Sequence, residues 1–142
     1  MVYTSYFGKM KSFPPNMIPI AICGGIPDWY KKGMIDKRWL WYKKLAPKWE
    51  FFQVWKQTHD NDYYIRNYNT LVLDKLDVNR IAADIQLMLP LEIREQMTSS
   101  IWCSDNIHVA LLCYEKPNDF CHRHLVSKWF NEHGYKCEEW KV

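Results

Sequence analysis

The stretch Ile107-His-Val-Ala-Leu-Leu-Cys-Tyr-Glu-Lys-Pro-Asn-Asp-Phe-Cys-His-Arg-His124 decides how this chain is expected to fold. Residues 108–113 form a short and mainly apolar run, typical of a strand buried on both faces of a parallel sheet. The polar residues that follow predict a short loop, and Asn118 or Asp119 can cap a helix over 120–133. A strand that leads through a loop into a helix is the repeating unit of α/β proteins.

Other parts of the chain alternate between strand and helix patterns in the same way. Apolar or β-prone runs predict strands at 2–7, 17–23 and 135–140, the last at a sheet edge. Pro19 weakens the second of these, because proline cannot donate to a ladder. Helical periodicity predicts helices over 48–59, 62–76, 78–89 and, more briefly, 91–97, and Asp77 can cap the third of them. The pattern predicts an α/β fold in which helices flank a mainly parallel sheet, in three layers, as a single domain over residues 1–142.

The length, charge and cysteine content of the chain limit the classes of protein it can belong to. Its 142 residues, 48% of them hydrophobic, suit one globular domain, and a net charge of +3 does not by itself predict nucleic-acid binding. No apolar run approaches the ~20 residues of a membrane helix, so no membrane partner is predicted. Five irregularly spaced cysteines without a signal peptide predict a reduced, cytoplasmic protein. The sequence predicts no particular oligomeric state.

The segment 27–49 has a composition of its own, in which lysines and arginines are interleaved with aromatic residues from Trp29 to Trp49. Such a surface can hold a phosphate backbone while its rings stack on bases, which makes single-stranded nucleic acid a partner to consider. The same composition fits an irregular insertion whose rings pack on the core while its lysines stay in water. We favour the packing interpretation and predict an aromatic-basic insertion here.

Polar groups able to do chemistry cluster where the strand at 108–113 meets the next helix. Ligands of open parallel sheets bind at the carboxyl ends of the strands. With Asp119 as the cap, Cys121 and His122 fall in the first helical turn, where free backbone N–H groups favour an anion and lower the pKa of a thiol. Cys121 is therefore a candidate nucleophile, with His122 and Glu115 as acid, base or orienting groups. Arg123 is a candidate ligand for the anion.

A structural interpretation of these residues competes with the functional one. Glu115 and Arg123 can form an ion pair that closes the loop, and Cys113 and Cys121 can be small buried apolar residues. We favour this interpretation for the two cysteines taken alone. For Glu115, His122 and Arg123 together we favour a function, because converging polar groups at a strand end are costly to bury without one.

Metal binding is a third interpretation of the same stretch. Cys113, Cys121, His122 and His124 include ligand types that zinc and iron use. Their spacing matches no established zinc finger or ribbon, and the two histidines point to different sides of a helix. We therefore predict no metal and no cofactor.

Two further sets of residues are candidates for binding a ligand. Tyr3, Thr4 and Ser5 carry hydroxyls near the end of the first predicted strand. Gly24 and Gly25 follow the second strand and permit a turn in which the backbone approaches a ligand closely. The pair is not a dinucleotide fingerprint, and no phosphate-loop pattern occurs in the chain.

The segment 111–124 closely resembles the signature of the family called domain of unknown function 488. That signature is an apolar strand ending in Cys-x-Glu, a short acidic loop, and Cys-His-Arg at the start of a helix. The residues that match it one by one are Cys113, Glu115, Cys121, His122 and Arg123. Tyr3-Thr-Ser5 and Leu45-Ala-Pro47 are also similar to elements of one branch of the family. The resemblance implies a compact, Rossmann-like α/β domain without the classical dinucleotide fingerprint, and it implies no particular reaction.

Together these patterns predict a small α/β protein that binds an anionic ligand at a strand-end pocket. The pocket residues are Glu115, Cys121, His122 and Arg123, and the ligand is expected to be related to nucleotides or nucleic acids. Whether the protein is an enzyme stays open; an enzyme with this pocket would act on nucleotides or nucleobases. The alternative is a non-enzymatic module that binds nucleic acid or protein through the segment from Trp29 to Trp49.

Overall fold

The computed structural model describes residues 1–115 and 120–141 of the chain. Within them five strands form one sheet: β1 (Val2–Tyr6), β2 (Met17–Ala21), β3 (Leu40–Trp41), β4 (His108–Cys113) and β5 (Cys137–Glu139). The strand order is β3-β2-β4-β1-β5, and every neighbouring pair is parallel. This confirms the predicted α/β class and its parallel sheet.

Helices flank the sheet on both faces. They are α1 (Asp28–Asp36), α2 (Trp49–Thr58), α3 (Asn61–Leu71), α4 (Val78–Leu87), α5 (Leu91–Arg94) and α6 (His122–Glu132). The helix predicted over 62–76 is shorter than expected: α3 ends at Leu71 and a 3-10 turn, Leu73–Lys75, follows it. No helix in the described part of the chain has the length and apolar character needed to cross a membrane.

Strand β4 is the centre of the fold, with both of its faces buried. Val109 and Leu111 belong to the larger part of the core, together with side chains from α2, α3, α4 and α6. Ala110 and Leu112 belong to the smaller part on the opposite face, where they meet Tyr30 of α1. The run of consecutive apolar residues therefore forms a strand that helices cover on both faces, as predicted.

The proline in β2 loses no hydrogen bond of the sheet. The backbone N–H and C=O groups of successive strand residues point alternately to the two neighbouring strands. The carbonyl of Ala21 accepts from the N–H of Tyr42, just after β3. Pro19, two residues earlier, therefore also faces the β3 side. Strand β3 pairs only with Ile20 and Ala21. The position of Pro19 lies beyond that pairing, and a missing N–H there is tolerated.

The segment 27–49 is regular, which differs from the irregular insertion we expected. It contains α1, the edge strand β3 and a 3-10 turn, Lys43–Leu45. Gly33 explains the close packing of α1, since a Cβ at that position would overlap the ring of Trp39. The segment is thus part of the α/β fold and completes one edge of the sheet.

Candidate active site

Helix α6 begins later than predicted. His122 is its first residue and Cys121 is the N-cap, with extended backbone angles (φ −155°, ψ 144°). The caps proposed from the sequence, Asn118 and Asp119, lie outside the described residues. The sequence predicts Cys121 and His122 at the second and third helical positions, whereas the structure places them at the N-cap and the first position. His122 therefore lies in the first turn as predicted, and the thiol of Cys121 precedes the helix.

Three side chains meet at the carboxyl end of β4. Cys113 Sγ lies 3.7 Å from His122 Nδ1 and 3.6 Å from its Nε2, and Cys121 Sγ lies 3.9 Å from Nδ1. The Nε2 atom is 2.7 Å from the carbonyl oxygen of Ile22. Because a carbonyl oxygen only accepts, Nε2 carries a hydrogen and donates it, and Nδ1 is the ring nitrogen that faces Cys121 Sγ.

Cys121 and His122 support each other's charged forms. Burial by itself disfavours a thiolate at Cys121, but the hydrogen bonds from Cys113 and His122 and the charge of His122 hold its pKa well below the ordinary value. The pKa of His122 is raised, because contact with Cys121 outweighs its burial. Burial and the neighbouring Cys121 raise the pKa of Cys113 well above the ordinary value, so Cys113 keeps its proton. These shifts favour a thiolate at Cys121, a protonated imidazole at His122 and a protonated thiol at Cys113.

Glu115 adds a group that can exchange a proton near neutral pH. It is half-buried two residues beyond β4. Burial, followed by the negative charge of Cys121, raises its pKa to about 7. A carboxyl group with such a pKa is suited to act as a general acid or base at physiological pH.

These groups line a cavity of about 730 Å³ at the carboxyl ends of β2 and β4. Gly24 and Gly25 also line it, and a Cβ on either would meet no atom within 4 Å, so their backbone is open to the cavity. Lys56 is the one lysine or arginine among the described lining residues. Aromatic rings make up much of the wall: Trp49, Phe52, Trp55, Tyr64, Tyr114 and Phe120.

Arg123 is fully buried and is not among the described residues that line this cavity. Its Nε and Nη2 donate to the two carboxylate oxygens of Glu139, each at 3.1 Å, and its Nη1 donates to the backbone carbonyl of Glu115. Thr4 Oγ1 donates to the same carboxylate at 2.7 Å. The predicted ion pair between Glu115 and Arg123 is therefore wrong, because Arg123 pairs with Glu139. Glu115 contacts Arg123 only through its backbone carbonyl, which accepts a hydrogen bond.

The hydroxyls of β1 are not brought to the cavity. The strand continues to Tyr6, so Tyr3, Thr4 and Ser5 lie inside the strand and before its carboxyl end. The ring of Tyr3 packs edge-on against His108 at 5.9 Å between centroids. Ser5 Oγ is buried without a hydrogen-bond partner among the described residues.

The rings of the aromatic-basic segment are mostly packed. Trp29 and Trp49 are exposed, by 50% and 62%. Tyr30 is buried and donates to a backbone carbonyl, and the Trp41 indole donates to the carbonyl of Cys23 at 2.8 Å. Of these rings, Trp49 is the one that belongs to the cavity wall.

The cluster also contains donor types that a soft metal accepts. The ligand atoms of Cys113, Cys121 and His122 all lie within 4.8 Å of one another. His124, the other donor considered from the sequence, is not in this group; its Nε2 is buried without a partner among the described residues. The absence of a metal thus stays a prediction.

Sequence reasoning missed two features of the site. Glu139 gave no local signal, because it follows the Cys-His-Arg motif by sixteen residues and reaches Arg123 only through the pairing of β5 with β1. The rings of α2 and α3 had helical spacing, which predicted burial, but spacing within one helix does not show that two helices share a cavity.

Comparison with known proteins gives one family. The family model described as the active DUF488-N3 subclade, DUF488-N3a, matches residues 16–134. The match includes the Cys-x-Glu and Cys-His-Arg motifs and ends before Glu139. No curated protein and no solved structure matches the chain significantly.

Proposed function

Since the chain belongs to the DUF488 family, in the subclade described as active, we propose that it is a thiol-dependent enzyme acting on a nucleotide or nucleobase-containing compound. The observation that carries the proposal is the contact between Cys121 and His122 at the base of an aromatic-walled cavity. A buried cysteine without a function needs neither a histidine partner nor an opening to a cavity.

The walls of the cavity favour a flat, weakly charged ligand. Its volume of about 730 Å³ falls in the range of pockets for small organic ligands. Aromatic side chains stack on the flat faces of heterocyclic bases, whichever base is bound. Lys56 is exposed and would meet an anionic group at the mouth of the cavity. The sequence suggested Arg123 as the ligand of the anion, but Arg123 is bound to Glu139. In this proposal Lys56 therefore binds the anion.

The chemistry that the cluster supports is nucleophilic attack on carbon. Cys121 Sγ forms a bond to an electrophilic carbon of the ligand, and the electron pair of the bond that opens moves to the adjacent nitrogen or oxygen. Glu115 in its protonated form delivers a proton to that atom. His122, held by the Ile22 carbonyl, keeps the sulfur ionised before the attack.

Alkylation with iodoacetamide tests the proposal, with Cys103 as the internal reference because it is exposed. We expect Cys121 to be carboxamidomethylated faster than Cys103 at pH 7, although it is only 3% exposed. Nucleoside monophosphates should slow the reaction at Cys121 and leave Cys103 unchanged. Peptide mass spectrometry measures both rates.

Two results would contradict the proposal. If Cys121 reacts more slowly than Cys103, the buried thiol is structural. If Cys121 is reactive but no nucleoside or nucleotide protects it, the cavity takes a ligand of another class. The Cys121→Ser variant, which keeps the size of the side chain, controls for the assignment of the modified peptide.

A further inference from the structure

Tyr64 of α3 is a buried residue on the wall of the same cavity. It is 2% exposed and lines the cavity together with Cys121 and Glu115. Its ring stacks on Tyr68 at 6.1 Å, and the ring of Tyr68 lies 5.4 Å from that of His122. The packing of α3 thus fixes Tyr64 relative to the reactive cluster.

The hydroxyl of Tyr64 makes no hydrogen bond within the described residues, in contrast to other buried tyrosines. Tyr68 donates to the carbonyl of Leu45 at 2.6 Å, and Tyr42 donates to Asp84 at 2.7 Å. Buried tyrosine hydroxyls usually find such a partner.

Tyr64 also lines the cavity, so its hydroxyl is placed to reach a ligand there. In the described part of the chain, the fully sealed polar side-chain atoms without a partner belong to Ser5 and His124, and Tyr64 is not among them. Since its ring is enclosed by the core, the space that its hydroxyl reaches is the cavity that the residue lines.

We propose that Tyr64 is a catalytic residue whose hydroxyl donates a hydrogen bond to the ligand atom that gains negative charge when Cys121 attacks. This inference rests on the proposed function. Burial, followed by the charges of Cys121, Cys113 and Glu115, raises the pKa of Tyr64 far above its ordinary value, so the group stays a donor at any physiological pH. A fixed donor in a cavity that excludes water stabilises developing charge more than the same donor in water.

Three groups share the step. The sulfur of Cys121 bonds to the ligand carbon while a π electron pair moves to the neighbouring nitrogen or oxygen. Tyr64 stabilises that atom with a hydrogen bond and keeps its own proton. Glu115 supplies the proton that completes the addition, so no oxidant or further reactant is needed.

The test compares two reagents that make different demands on the site. 2-Cyanopyrimidine is a flat heterocycle whose nitrile carbon accepts a thiolate, and negative charge develops on the nitrile nitrogen to give a thioimidate. Iodoacetamide reacts by displacement of iodide, which carries the negative charge away, so no charge develops on a nitrogen or oxygen that Tyr64 could stabilise. We expect Tyr64→Phe to slow thioimidate formation on Cys121 by at least about tenfold, and to change the iodoacetamide rate by less than about twofold.

Tyr68→Phe is the matched control, since it also removes one hydroxyl from α3. This variant loses the hydrogen bond to Leu45 and should melt roughly 4 °C lower, with the ratio of the two rates unchanged. Tyr64→Phe should show the opposite behaviour, a changed ratio with no loss of melting temperature. If Tyr64→Phe does not fold, 3-fluorotyrosine at position 64 keeps the ring and makes a stronger donor, so thioimidate formation should accelerate.

The outcomes separate this inference from the function on which it rests. If Cys121 reacts with neither reagent faster than Cys103 does, the proposed enzyme fails and Tyr64 has no reaction to serve. If Cys121 reacts with both reagents and Tyr64→Phe leaves the ratio unchanged, the enzyme survives and the role of Tyr64 is overturned. A changed ratio together with an unchanged melting temperature supports both.

Discussion

Arg123 donates two parallel hydrogen bonds, from Nε and Nη2, to the two carboxylate oxygens of Glu139. The guanidinium has no exposed surface, and 17% of the carboxylate side chain is exposed. The third donor of Arg123 binds the carbonyl of Glu115, so this ion pair connects the chain just after β4 to the edge strand β5.

We expect Glu139→Ala to destabilise the protein by about 3 kcal/mol, because it leaves a buried positive charge without its partner. Urea unfolding at neutral pH measures the change. Glu138→Ala is the control, since that neighbouring carboxylate is exposed and its removal should change stability by less than about 0.5 kcal/mol. A loss below about 1 kcal/mol for Glu139→Ala would show that water reaches Arg123.

Replacement of Glu115 should change how stability depends on pH. Its pKa is about 7 in the folded protein against an ordinary 4.5, so the folded state binds more protons between these values. The associated stability is present below pH 4.5 and is lost as the pH rises through 7. Glu115→Gln, which cannot ionise, should therefore be more stable than the wild type at pH 8 by about 1 kcal/mol, after allowance for solvent screening.

Urea unfolding of both proteins at pH 4 and pH 8 checks this expectation. The two should differ little at pH 4, where Glu115 is mostly protonated in both the folded and the unfolded wild type. Equal stability of variant and wild type at pH 8 would mean that the carboxylate is better solvated than its position suggests.

Two glycine substitutions should separate packing from the lining of the cavity. Gly33→Ala should destabilise the protein by about 2 kcal/mol, because the new methyl group overlaps the ring of Trp39 and α1 must shift. Gly24→Ala meets no atom within 4 Å and should leave stability nearly unchanged. It narrows the cavity, so nucleoside monophosphates should protect Cys121 from iodoacetamide less well. Thermal unfolding and the alkylation assay measure the two effects, and equal melting temperatures would contradict the packing argument.

The alternative of a nucleic-acid-binding surface has its own test. If the aromatic-basic segment binds single-stranded DNA, the wild type should bind a labelled oligonucleotide at low salt and release it as salt increases. Lys43→Glu combined with Lys44→Glu should abolish that binding. Lys136→Glu combined with Lys141→Glu, outside the segment, makes the same charge change and should retain most of it. Absence of binding by the wild type at low salt would rule this alternative out.

The elements that could be predicted are those whose signal is local. Strand β4 begins and ends at the predicted residues, because a run of apolar residues between polar ones has few other solutions in an α/β protein. Helix α4 followed from its apolar spacing, and its predicted cap, Asp77, accepts a hydrogen bond from Asn79 N–H. The sequence grouped Glu115, Cys121, His122 and Arg123 because a short connection joins two well-defined elements; the first three line one cavity, and Arg123 is not among the described residues that line it.

The parts that could not be predicted depend on distant packing. Whether Tyr3 lies at the end or in the middle of its strand depends on the register with β4, which β-propensity does not contain. The partner of Arg123 depends on β5 pairing with β1, and the cavity depends on α2 and α3 packing over the strand ends. Helix α1 was missed because its many polar residues give it no clear apolar face, and its fit depends on Gly33 facing Trp39.

The position of Glu139 determines how far along the chain this domain must extend. The matched family region stops at residue 134, just after α6. A chain cut there would keep both sequence motifs but lose β5, and with it the counter-ion of Arg123 and the hydrogen-bond partner of Thr4. The signature residues alone would then belong to a protein with an unpaired charge in its interior. The smallest piece able to fold therefore extends past the family match, at least to Trp140, whose N–H donates to the carbonyl of Thr4.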